Sequence, residues 1–473
     1  MKILLLIALF GMVLTVNRSG AQTTPRPFLH GLFTDNMVLQ RDRPVPVWGW
    51  TQPGKKVTVT VADQCQSAVT GADGKWLVRI GPLPAGGPYT IAITGPRSVT
   101  LTNVLVGDVW LCSGQSNMEM GIGAAKNGSA EIARATNSMI RLFTVPKRIS
   151  AEPQADVDNH WLVCSSQTVS LGYWQGFSAV GYFFGRKVQE DTGIPIGLIQ
   201  AAWPGTVAEA WTSETALRTM PDFVPALTDL AGMKQVEPNT VTVLYNGMIA
   251  PILPFGIKGV VWYQGESNTG RARQYRTLLP TLIRDWRARF GAGDFPFLIV
   301  QVANFTDTPQ DPTRAERAEI REAQRLTAQS VTNCGMAVTI DIGEPLDIHP
   351  KDKQEVGRRL ALSALALTYG KKVTYSGPVF TSLKREGGKV RVGFYHTDGG
   401  LVAKGGKLPG FTVAGEDRRF VSADAVIDGD TVVVSSPSVA HPVAVRYGWA
   451  DNPTCNLYNG AGLPAGPFCS DQD

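Results

Sequence analysis

Between Val106 and about Tyr369 the chain alternates short apolar runs with longer stretches whose apolar residues recur at helical spacing, and this alternation restricts the fold more than any other feature. The runs are Gly107–Cys112, Ile196–Ala202, Lys258–Tyr263, Phe297–Val302 and Met336–Asp341. Each is too short and too continuously apolar for a half-exposed helix, so each reads as a strand buried on both faces. Parallel strands need crossover connections, and helical crossovers cover the sheet. Helices are predicted around Phe177, Val180, Phe183, Phe184 and Val188, around Tyr275, Leu278, Leu279, Leu282, Trp286 and Phe290, and over Asp352–Leu367. Pro280 predicts a kink in the second of these. The expected core is an α/β domain over residues 106–370.

Open sheets of this kind keep their chemistry beyond the carboxyl ends of the strands. Gly107–Cys112 breaks into Ser113-Gly-Gln-Ser-Asn117; Ile196–Ala202 is followed by Trp203-Pro-Gly-Thr206; Lys258–Tyr263 by Gln264-Gly-Glu-Ser-Asn268; Met336–Asp341 by Gly343-Glu-Pro-Leu-Asp-Ile-His-Pro350. A lone serine after a strand is more often a helix cap than a nucleophile. Here the other strand ends supply a glycine amide, side-chain amides, carboxylates and an imidazole, which is the inventory of acyl transfer. Of the five histidines, His30, His160, His349, His396 and His441, only His349 lies in the α/β region at a strand end beside carboxylates. It is the candidate base, and Ser116, placed after the glycine that lets the chain turn, is preferred to Ser113 as nucleophile. No His-Glu-x-x-His or second clustered histidine completes a metal site, so neither metal nor cofactor is expected.

The flanks differ. Residues 22–105 and 371–473 read as small β-sandwich modules, from the runs Val45–Trp50, Lys56–Val61, Tyr89–Thr94, Lys389–Tyr395 and Thr431–Ser435 with Gly and Pro between them. The aromatic, turn-rich stretch from Arg446 to Phe468 is expected to be an ordered tail lying on another domain. Residues 1–21 combine Lys2, an apolar core too short to span a bilayer and a small-residue site Ser19-Gly20-Ala21, the pattern of an export signal; an extracytoplasmic, periplasmic or secreted protein follows, without membrane insertion. Loss of Lys2 and Arg18 takes the formal charge from +5 to about +3, and the remaining basic residues form no tract, so nucleic acid is not an expected partner. Six cysteines in an exported chain permit disulfides, and Cys455 and Cys469, close in sequence, are the expected pair.

The motifs resemble one family. Asp35-Asn-Met-Val-Leu-Gln-Arg41, Trp110-Leu-Cys-Ser-Gly-Gln-Ser-Asn-Met118, Tyr245-Asn-Gly-Met-Ile249, Trp262-Tyr-Gln-Gly-Glu-Ser-Asn268, Asp347-Ile-His-Pro350, Asn456-Leu-Tyr-Asn459 and Gly462-Leu-Pro464, in that order, are similar to the sialate O-acetylesterase-like group of the SGNH/GDSL-type carbohydrate esterases. The resemblance implies a flavodoxin-like three-layer SGNH hydrolase domain flanked by small β-sandwich modules, and hydrolysis of acetyl esters on sugars. It further implies that Ser116 is the nucleophile and His349 the base. The oxyanion hole it implies uses the amides of Ser116 and Gly205 and a side-chain amide, Asn268 or Gln264. Either Asp347 or Glu266 then orients the imidazole, with Asp347 preferred.

An acetyl group offers little to recognise, so specificity is expected to rest on the sugar. Trp203, Arg271, Arg273 and Arg446 are the candidate substrate contacts, an arginine being suited to a sialic acid carboxylate. Acetylated xylan or another plant glycan is the alternative substrate. A non-catalytic glycan-binding protein on an esterase scaffold is the alternative of another class, and a metal-dependent phosphoesterase lacks grouped ligands.

Overall fold

The computed structural model describes residues 26–230, 232–306 and 315–471; the expected export segment lies outside them. Its central sheet contains β1 (Ser98–Gly114), β2 (Asn137–Thr144), β3 (Leu162–Cys164), β4 (Ile196–Ala202), β5 (Gly259–Tyr263), β6 (Phe297–Val300) and β7 (Cys334–Ala337). The order across the sheet is β7-β6-β5-β1-β4-β2-β3. Neighbours run parallel except the edge pair β2 and β3. Setting aside the outer pair, the order β4-β1-β5-β6-β7 is the flavodoxin-like one, with its reversal at β1.

Helices α1 (Ala179–Thr192), α2 (Ala272–Phe290), α3 (Glu316–Ser330) and α4 (Lys353–Leu367) complete three layers. Strand side chains alternate between the faces. Trp110, Cys112, Leu198 and Val261 pack with Phe183, Phe184, Val356 and Leu360 of α1 and α4. Val109, Leu111, Val260 and Trp262 pack with Leu278, Leu282 and Trp286 of α2 and with Ile320 and Ala323 of α3. α2 continues through Pro280.

β1 serves two sheets. Its first half pairs antiparallel with Gly86–Thr94 of the N-terminal module, and its second half is the centre of the α/β sheet. The expected boundary at residues 105 and 106 therefore falls inside one continuous strand, and Phe28, Leu32 and Trp48 share a core with Trp161 and Phe255. Asp108 of β1 is fully buried and is held by the fork of Arg41 and the amide of Gln40, which gives the Asp35–Arg41 motif a structural role. The C-terminal module is a sandwich. Val379–Glu386, Lys389–Tyr395, Thr431–Ser435 and Asp424–Asp428 form one sheet; Val421–Ser422, Phe411–Ala414, Ala444–Tyr447 and Phe468–Cys469 form the other. Val392, Val413, Val432, Tyr447 and Phe468 fill the space between.

A helix, two edge strands and a disulfide differ from the sequence expectation. α3 was not anticipated because its buried face is polar: Arg317, Arg321, Glu322, Gln324, Arg325 and Thr327 are all buried, so no apolar stripe marks it. Fully buried Arg321 donates to the carbonyls of Val302, Ala303, Ala450 and Asp451, and so ties the tail to the α/β domain. The edge strands β2 and β3 are short or mixed in polarity and lack the apolar signature of the inner ones. The expected Cys455–Cys469 disulfide is absent, both thiols being free. Cys469 pairs across the sheet with Arg446, whereas Cys455 lies against Tyr447 and Gly448, and consecutive residues of a strand face opposite sides.

Candidate active site

β1 ends at Gly114, whose φ of +139° and whose absent side chain are both required: a Cβ there would lie 2.1 Å from the Tyr263 carbonyl oxygen. The Gln115 amide donates to that same carbonyl, and the chain turns into the one-turn helix Ser116–Glu119. Gly114→Ala is expected to destabilise the protein by roughly 3 kcal/mol, read as a fall in the denaturant midpoint, because strain and overlap act together.

The turn sets Ser116 at the reversal of strand order, with the ends of β4 and β5 on either side. A cavity of about 690 Å³ opens here. Ser116, Gln115 and Glu119 line it from β1, Pro204 and Gly205 from β4, Glu266 and Ser267 from β5, and Ile348 and His349 from the segment before α4; Trp174 completes the wall. Ser116 Oγ makes no hydrogen bond among the described residues, and the Ser116 amide is among the first-turn N–H groups that lack an intrahelical acceptor. Gly205 has a φ of +69°, open space where a Cβ would stand, and an amide without a protein acceptor among the described residues.

His349 Nδ1 lies 3.5 Å from Asp347 Oδ1, and the same oxygen accepts the His349 backbone amide at 2.9 Å. The imidazole meets the Trp174 ring edge to face at 4.7 Å. Trp174 and Gln175 both have left-handed φ values, a strained turn that returns this loop to the site. Burial lowers the His349 pKa below its usual value, the nearby Lys353 ammonium lowers it further, and Asp347 and Glu266 oppose both. The ring is therefore neutral at pH 7. Also lining the cavity is Glu119, whose carboxyl burial raises against the Lys147 ammonium 2.7 Å away.

Glu266 is bound through one oxygen: Oε1 accepts from Asn117 Nδ2 at 2.7 Å, while Oε2 is buried without a partner. Asn117 Nδ2 also donates to the Ile348 carbonyl at 3.1 Å, and Asn117 Oδ1 accepts from the fully buried ammonium of Lys353. Asn117 and Lys353 were not among the sequence candidates. Asn117 stands inside the Ser116 motif and could have been found there; a lysine at the start of a helix carries no such signal.

Other expectations are corrected by side-chain commitments. Asn268 and Gln264 do not line the cavity. Gln264 Nε2 donates to the Thr206 carbonyl and to Asn268 Oδ1, and Asn268 Nδ2 donates to Glu209, so these amides brace the strand ends. Gln115 does line the cavity; its Oε1 accepts from the Ser267 and Gly265 amides, and its NH2 group has no acceptor among the described residues. The proposed sugar contacts also lie off the cavity wall. Arg446 forks onto Asp471 and covers Phe420 and Trp449, Arg271 pairs with Glu209, and Arg273 is exposed. Trp203 packs toward Lys147, whose ammonium is 5.4 Å from its ring and 4.2 Å from that of Tyr173. No group of three or more potential metal ligands occurs among the described residues.

Residues 106–366 match the profile of a family described as carbohydrate esterase, sialic acid-specific acetylesterase. Sialate O-acetylesterase of Homo sapiens is 32% identical over 92% of this chain and 90% of its own length. That of Mus musculus is 32% identical over 78% of this chain and 79% of its own. A solved carbohydrate acetylesterase from Xanthomonas citri superposes with a TM-score of 0.86 at 40% identity, covering 95% of this chain and all of the other.

Proposed function

The chain belongs to the sialic acid-specific acetylesterase family of carbohydrate esterases and is a hydrolase of acetyl esters, and from that premise we propose that it removes acetyl groups from O-acetylated sialic acids with Ser116 as nucleophile. The observation that carries the mechanism is that Ser116, His349 and the unengaged Gly205 amide face one cavity at the strand reversal. Near-full-length similarity to sialate O-acetylesterases supports the substrate.

In this reading Ser116 Oγ attacks the acetyl carbonyl and its proton passes to His349 Nε2. The oxyanion is met by the amides of Ser116 and Gly205. The third donor, assigned from sequence to Asn268 or Gln264, is the free Gln115 NH2 group. Collapse of the tetrahedral intermediate breaks the C–O bond to the sugar, and the sugar oxygen takes the proton from His349. Water, deprotonated by the same imidazole, then attacks the acetyl-serine carbonyl; the bond from Oγ to the acyl carbon breaks, Ser116 Oγ takes the proton back from His349, and acetate leaves. Asp347, the carboxylate on Nδ1, orients the ring and stabilises its charged form. Residues 1–21 support an extracytoplasmic site of action.

The test is acetate release by the purified chain from O-acetylated sialosides and from acetylated xylan. Preferential release from sialosides is expected. Faster release from xylan would keep the mechanism and replace the substrate.

A further inference from the structure

A lysine at the first position of a helix ordinarily extends into water, but Lys353 is fully buried behind the site. Among the described residues its ammonium has a single hydrogen-bond acceptor, Asn117 Oδ1, and it lies 5.1 Å from the Tyr263 ring centroid. An ammonium is donor-only and a carbonyl oxygen is acceptor-only, so Lys353 and the Ile348 carbonyl together admit one orientation of the Asn117 amide. Turned over, the amide would present N–H to the ammonium and oxygen to both Glu266 and the Ile348 carbonyl. In the orientation present, the residue directly after Ser116 grips Glu266 and the carbonyl directly before His349.

We infer that Lys353 is a positioning residue of the esterase: through Asn117 it holds the nucleophile's turn against the base's loop, and its charge sets the acid limb of activity. Burial pushes the ammonium down to about 7, so it is charged in the acid range where the imidazole titrates. There it opposes protonation of His349. The groups facing this pair are Glu266, Asp347 and Glu344, which favour the cations, Arg317 beyond Glu266, and neutral Tyr263. A cation next to a base that must become charged costs transition-state stabilisation, and its retention beside the site is explained by the geometry it enforces.

The inference rests on the assignment of Ser116 and His349, and Lys353→Met and Lys353→Gln test it against a 4-nitrophenyl acetate pH profile. Lys353→Met is expected to lower kcat about tenfold or more with KM changed less than about twofold, as for loss of alignment. Lys353→Gln, which can still donate to Asn117, should recover most of kcat. In both, the acid limb should move to higher pH, since a cation that suppresses imidazolium has been removed. Wild-type kcat in the methionine variant, an unmoved acid limb in both, or failure of both to fold would overturn the inference. Activity retained by Ser116→Ala would instead remove the reading on which it rests, independently of either lysine variant.

Discussion

Ser116→Ala is expected to lower kcat by roughly three or more orders of magnitude while leaving the thermal midpoint within about two degrees of the parent. The hydroxyl makes no hydrogen bond among the described residues and its residue is 7 % exposed on the cavity wall, so its removal leaves neither an unpaired partner nor a sealed void. The nearby Ser113 provides the control. It is fully buried in β1 and its Oγ donates to the Ala201 carbonyl at 2.6 Å, so it is tied into the sheet and cannot meet a substrate. A serine-directed phosphonate should therefore label the Ser116 peptide. Labelling that persists in Ser116→Ala would sink the assignment.

The second large effect separates two carboxylates. Asp347→Asn is expected to lower kcat by roughly two to four orders of magnitude, because an amide beside Nδ1 favours the wrong tautomer and no longer balances the imidazolium. Glu266→Gln should cost less, since an amide oxygen can still accept from Asn117. Both substitutions remove a negative charge that raises the His349 pKa, so both should move the acid limb to lower pH, opposite to the Lys353 variants. The sign follows from the active form: the neutral imidazole accepts the proton, so kcat/KM falls as pH drops through the His349 pKa, which lies below the usual histidine value. If Glu266→Gln loses more than Asp347→Asn, the orienting role passes to Glu266, and its unpartnered Oε2 becomes the atom to follow.

The inner strands and the places where they end were legible because their cause is local. An apolar run broken by Gly114 or by Trp203-Pro-Gly205 becomes a buried strand with a turn wherever it sits, and a βα alternation leaves few ways to assemble the sheet. The same local logic put Ser116, Gly205, Glu266 and His349 beyond the strand ends, and the structure gathers them around one cavity. The limits were non-local. Asn268 and Gln264 look like free donors in a motif, yet Glu209 accepts from the Asn268 amide, and the Thr206 carbonyl and Asn268 Oδ1 accept from that of Gln264. Arg446 looks like a carboxylate receptor until Asp471 fills its fork. α3 has no apolar stripe because its buried guanidinium is satisfied by carbonyls from two distant segments, and Lys353 reads as a surface lysine until Asn117 and Tyr263 close over it. Backbone conformation is governed mainly by a residue's neighbours in sequence. Whether a polar group is spent or available depends on partners that only the folded chain brings within 3 Å, and at this site that distinction separates the bracing amides from the reacting groups.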